Sequence, residues 1–170
     1  MKNKIHLSPI GMIYSPFSDP KEMPIQPASA IGTTGKVVLQ AQFQEGLKDL
    51  EGFSHIILLY YFHLYSGYDL LPKPFLDHEP RGLFATRAPR RPNPIGFSIV
   101  RLEKIDGITL HVSNIDIING TPLLDIKPYV PAFDAPADAT IGWLNGKLDR
   151  VEDVKSDDRF SDPPPVTQDS

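Results

Sequence analysis

The sequence predicts a mostly β fold, a single small barrel with one or two short helices and long proline-rich loops. Eighteen prolines in 170 residues are many for a helical chain, since each fixes φ and removes a backbone donor. The apolar runs between them are short and rich in β-branched residues. One run, residues 54–63, is apolar at both periodicity-two positions, with Ile56, Leu58, Tyr60 and Phe62 on one face and Ile57, Leu59, Tyr61 and His63 on the other. Such a strand belongs in a barrel wall covered from outside by a helix or by a second subunit.

Residues 5–14 alternate loosely around Pro9 and read as an edge strand. Residues 15–31 hold four prolines and no periodicity, which predicts a long loop. A second strand follows over 35–41. Residues 43–52 then place Phe43, Leu47 and Leu50 at helical spacing, and Gly52 supplies a stop signal, so a short helix is expected. After the central strand, residues 65–81 form another proline-containing connection. A short strand is expected over 82–87 and a longer one over 96–104. The latter turns at Asp106-Gly107 into a strand over 108–112, a strong hairpin signal. Two more strands are expected, over 114–118 and 124–129, divided by Asn119-Gly120. Trp143-Leu144 starts a short terminal element. The barrel domain is assigned to residues 1–149, and the acidic, proline-rich residues 150–170 are expected to be disordered.

Composition narrows the function. Without cysteine there are no disulfides, thiolate zinc sites or cysteine nucleophiles. The net charge of −4 argues against a protein that coats polyanions, so nucleic-acid binding has to come from a local patch such as Arg81, Arg87, Arg90, Arg91 and Arg101. His55 and His63, eight residues apart on one strand, would lie about 26 Å apart at ~3.3 Å per residue, too far to share an ion, and no metal site is expected. No apolar stretch is long enough to span a membrane as a helix, and the chain is expected to be soluble and cytoplasmic. There is neither a glycine-rich phosphate loop nor a nucleophile elbow.

The richest stretch is 84–97, where three arginines and three prolines share a stiff loop between strands. Asp116, Asp125 and Lys127 stand in otherwise apolar strands, where a charge is costly unless paired. Asp125 and Lys127 share a strand face. Two readings stay open: structural ion pairs, or convergence with the arginines on a polar pocket for ribose hydroxyls, an amino-acid group or a phosphate.

The ordered set Gly52-Phe-Ser-His-Ile56, Thr86-Arg-Ala-Pro-Arg-Arg-Pro-Asn-Pro-Ile-Gly96, Asp116 ahead of Ile-Ile-Asn-Gly-Thr-Pro, and Asp125-Ile-Lys-Pro-Tyr129 closely resembles the TrmO (TsaA-like) family, over residues 5–133. The resemblance implies a non-Rossmann β-barrel that binds S-adenosyl-L-methionine, assembles as a homodimer, and methylates N6 of threonylcarbamoyl-adenosine beside the anticodon of threonine tRNA. It implies that Arg87 and Phe97 flank the cofactor, with Gln26, Pro27 and Ala28, His63 and Leu64, and Asn114, Ile115 and Asp116 supplying more of the pocket. A ring face of Tyr61 or Phe62 would suit the sulfonium. Asp116, Asp125 and Lys127 are the candidates for a proton acceptor, and Arg90 and Arg91 for contact with RNA. Longer members carry a C-terminal domain that holds tRNA. Here an acidic tail stands in its place, and a dimer could compensate by presenting two arginine loops to one RNA. The alternatives are a different methyl acceptor, or a non-catalytic module that senses S-adenosylmethionine.

Overall fold

A computed structural model describes residues 4–20, 23, 30–148, 156–157 and 160. Six strands close into an antiparallel barrel: β1 (Gly11–Tyr14), β2 (Thr34–Leu39), β3 (His55–Tyr61), β4 (Ile95–Asp106), β5 (Thr109–Ser113) and β6 (Thr121–Pro128), in the order β1-β2-β5-β4-β3-β6. Closure leaves no free sheet edge, so every strand is paired on both sides. The barrel is filled by inward residues of alternating strands, among them Ile13, Val37, Ile56, Leu58, Val100 and Leu110, all buried.

The expected barrel and its central strand are present. In β3, Ile56, Leu58 and Tyr60 point inward and Ile57 and Leu59 are half-buried outside. The hairpin between β4 and β5 also forms as expected, with Gly107 at φ 60, a value an L side chain rarely adopts.

Four expectations change. The first strand covers only Gly11–Tyr14, beyond the reach of Pro9. The helix expected over 43–52 is instead two 3-10 segments, Ala41–Leu47 and Leu50–Gly52, because Asp49 takes φ 67 between them and ends the helical path. The strand expected over 82–87 is a single 3-10 turn, Leu83–Ala85, which buries Leu83 and leaves Phe84 outside. The stretch 114–118 pairs with no strand. Asn114, at φ 60, turns the chain off β5, and its Oδ1 accepts a hydrogen bond from the Gly32 amide at 3.0 Å. The chain then crosses one mouth of the barrel with Ile115 and Ile117 buried as a plug. Two short terminal turns follow, α1 (Pro131–Asp134) and a 3-10 turn over Gly142–Leu144.

Most of the 150–170 tail lies outside the described residues. Of the described part, Phe160 is buried edge-on against Phe75 at 5.2 Å between ring centres, and the Ser156 amide donates to the Met23 carbonyl.

A candidate cofactor cleft at the barrel mouth

The end of β3 and the starts of β4 and β6 meet at the mouth that 115–118 crosses, and the arginine loop enters β4 there. Between them opens a cleft of about 340 Å³, within the usual range for small-molecule sites. His63 and Leu64 line it from the end of β3, Arg87 and Arg91 from the loop, Phe97 from β4 and Asp116 from the plug.

At its floor, three polar groups from three segments form a chain. The Tyr60 hydroxyl lies 3.0 Å from Ser98 Oγ, and the Ser98 hydroxyl donates to Asp116 Oδ1 at 2.7 Å. With Ser98 committed to the carboxylate, Tyr60 is the donor to Ser98. Burial raises the Asp116 carboxyl to about 6, against the opposing pull of the Ser98 hydrogen bond and the Arg87 charge. Burial likewise raises the Tyr60 phenol, keeping it protonated and fixed as a donor.

Gly96 explains how Tyr60 fits. It pairs with Tyr60 across β3 and β4, and a Cβ on Gly96 would come 2.1 Å from the ring. The tyrosine ring therefore lies flat over bare backbone. Arg87 caps the cleft with its guanidinium 5.4 Å from the centre of the Phe97 ring.

The other candidates fall elsewhere. Asp125 and Lys127 form a 2.8 Å ion pair with both side chains well exposed. The register between β3 and β6 slips at Leu59/Tyr60, so Leu58 faces Ile126 and Tyr60 faces Leu123, with Leu124 left over as a bulge. That extra residue reverses the parity of β6 and turns Asp125 and Lys127 onto the outer surface. As a proton acceptor for the cleft, neither is in reach. Ile115 is a core residue and Asn114 a turn residue, so of the triplet only Asp116 lines the cleft. Tyr61 is 41% exposed and does not line it, whereas Phe62 does. Arg90 is buried, which removes it as a surface contact for RNA. Arg91 uses Nη1 to hold its own loop, donating to the carbonyls of Thr86 at 3.0 Å and Ala88 at 3.3 Å. Gln26, Pro27 and Ala28 lie outside the described residues.

Sequence reasoning missed Ser98 and Tyr60 as parts of the site. The signal was a serine flanked by Phe97 and Ile99 in a strand whose other inward residues are apolar. Among the described residues no cluster of histidine and acidic side chains could hold a metal, and no helix is long and apolar enough to cross a membrane.

Fold and cleft together define a small-barrel protein with a cleft of small-molecule size at one mouth. Residues 12–135 match the tRNA-methyltransferase O N-terminal domain, and the chain belongs to that family. It is 51% identical over 152 residues to a Pyrococcus abyssi protein described as a probable S-adenosyl-L-methionine-binding protein, covering 89% of this chain and 83% of that one. It is 35% identical over 144 residues to the tRNA (adenine(37)-N6)-methyltransferase of Escherichia coli, covering 79% of this chain and 61% of that enzyme. The crystal structure of TrmO from Pseudomonas aeruginosa superposes with a TM-score of 0.71 at 43% identity, covering 83% of this chain and 63% of that one. The chain thus spans less than two thirds of the two latter proteins.

Proposed function

We propose that this chain is a methyltransferase that uses S-adenosylmethionine to methylate N6 of an adenine in tRNA, the base being threonylcarbamoyl-adenosine beside the anticodon of threonine tRNA. It works in the cytoplasm as a homodimer. The observation that carries the reading is Asp116, a carboxyl held near neutrality by burial, hydrogen-bonded from below and opening into a cleft that also presents a guanidinium and aromatic rings.

The cleft's donor set suits the cofactor. The Arg87 guanidinium matches the carboxylate end of a zwitterionic amino acid, and Phe97 and Phe62 offer ring faces to an adenine or a sulfonium. Arg87, Phe97, His63 and Leu64 would hold it, together with Gln26, Pro27 and Ala28, and Asp116 borders the same cleft on the acceptor side. When bound, S-adenosylmethionine supplies an activated methyl group on a positively charged sulfur.

The chain's own residues supply position and a proton acceptor. An exocyclic nitrogen is a weak nucleophile, so alignment in the cleft contributes most of the rate. The methylated nitrogen sheds one proton, and a carboxylate with a pKa of about 6 is ionised at neutral pH yet basic enough to take it. The Tyr60 to Ser98 relay fixes the carboxyl's orientation while that proton arrives. Arg87 limits the rise in the Asp116 pKa and so keeps the acceptor ionised.

The deciding experiment transfers label from methyl-labelled S-adenosylmethionine to bulk tRNA with and without the threonylcarbamoyl group, alongside Arg87→Ala. Label confined to modified tRNA and lost in the variant supports the reading. Cofactor binding by calorimetry with no labelled RNA moves the assignment to another acceptor or a sensor, and no binding overturns it.

A further inference from the structure

Phe84 is 78% exposed although it sits in a turn held by several hydrogen bonds. The Thr86 hydroxyl and amide donate to the Leu83 carbonyl at 2.8 and 3.0 Å, and the Ala85 amide donates to Gly82. Trp143 Nε1 donates to the Ala85 carbonyl at 2.7 Å. Leu83 anchors the turn in a small core with Ala88 and Phe160. The turn therefore holds the phenylalanine out in water at the cost of one apolar side chain left unburied. The Arg91 guanidinium lies 5.8 Å from the centre of its ring, and the bonds from Nη1 to loop carbonyls hold that cation in place.

We propose that Phe84 is the stacking plate for an unpaired base of the RNA, backed by Arg91. This rests on the reading above and deepens it by naming a base contact outside the cofactor cleft. Unpaired bases are recognised by stacking on aromatic rings and guanidinium planes, and a ring already immobilised loses little entropy on binding. The guanidinium behind the ring adds a positive charge that attracts a base π-face. Phe84 lies three residues before Arg87, at most about 11 Å along the chain. The base it stacks is therefore a close neighbour of the one presented to the cleft, and the contact selects loops over duplexes, whose bases are already stacked. Arg91 itself then acts by holding the ring and the loop rather than by reaching for a phosphate.

The test measures affinity for an end-labelled anticodon stem-loop by fluorescence anisotropy across a salt series, using wild type, Phe84→Ala and Phe84→Tyr. The expected result is a loss of roughly 5- to 150-fold in Phe84→Ala. The slope of log affinity against log salt stays unchanged because no phosphate contact is removed. Phe84→Tyr retains affinity, and S-adenosylmethionine binding by calorimetry is the same in all three. If wild type binds and methylates RNA and Phe84→Ala does so equally well, the stacking role is overturned and the reading of the cleft stands. A shift from dimer to monomer in Phe84→Ala by sedimentation overturns it too, by assigning the ring to a contact between copies. If wild type neither binds nor methylates tRNA, the functional reading fails and this inference with it.

Discussion

Asp116 and Asp77 each stand near an arginine and an aromatic ring, yet their surroundings drive them in opposite directions. Asp77 Oδ2 is shared by Arg81 at 2.6 Å and Lys147 at 2.5 Å, and both cations also flank Trp143. Hydrogen bonds from Lys147 and Arg81 hold its carboxyl well below the usual range. Asp116 has a neutral hydroxyl as its hydrogen-bond donor and loses water to the barrel floor, so its carboxyl rises. A carboxylate saturated with cations has no remaining basicity and serves as a clasp between the 69–85 loop and the C-terminal turn. A carboxylate deprived of water and given one hydroxyl keeps its basicity for a substrate.

The contrast is tested most severely at Asp116. Asp116→Asn keeps the acceptor for Ser98 and removes the base, and methyl transfer is expected to fall by roughly 10²- to 10⁴-fold in the label assay. In wild type the rate should rise with pH through about 6, the pH at which the carboxyl ionises. The stability effect has the opposite sense. The folded carboxyl keeps its proton to a higher pH than the unfolded one, so ionisation penalises the fold increasingly as pH rises from the ordinary carboxylate range through about 6. Melts of Asp116→Asn should therefore exceed wild type at pH 8 and converge with it near pH 4.

Next in size is Gly96→Ala, which drives a methyl group into the Tyr60 ring and is expected to cost roughly 1–3 kcal/mol by denaturant titration. It also lowers activity, because a displaced Tyr60 releases Ser98. Asp77→Asn should lower Tm at pH 7 while leaving the pH profile of methyl transfer in place. A depressed carboxyl stabilises the fold above its unfolded pKa and loses that contribution as pH falls below it, so the variant and wild type should draw together in acid. The smallest effect belongs to Lys127→Ala. Its exposed pair with Asp125 contributes little, about 0–1 kcal/mol, and activity should match wild type in the same assay.

The six barrel strands, the hairpin and the arginine loop were legible because alternation, Asp106-Gly107 and clustered prolines are local signals, whereas the strand expected over 82–87 is a 3-10 turn. Positive φ at Asp49 and Asn114 was not, since neither residue needs it; each adopts it under the pull of the tertiary fold. That is why one helix became two turns and one strand became a plug. The alternation over 114–118 was real, but it recorded burial of Ile115 and Ile117 rather than ladder pairing. Period two correctly put Asp125 and Lys127 on one face. Which face depends on the bulge against β3, a property of two strands that neither carries alone. Asp116 was found as a charge in an apolar setting, while Ser98 and Tyr60 pass in sequence for ordinary strand residues and become a relay only when the barrel closes.

Trp143 is the chain's only tryptophan, and its indole is tied to the Ala85 carbonyl two residues before Arg87 while two cations border the ring. The only indole of the chain, which can be excited apart from the six tyrosines, thus sits on the back of the arginine loop. Its emission wavelength and quenching follow the seating of that loop without any dye, so titrating ligand or RNA into unlabelled protein gives an optical record of whether the loop stays docked as the cleft is filled.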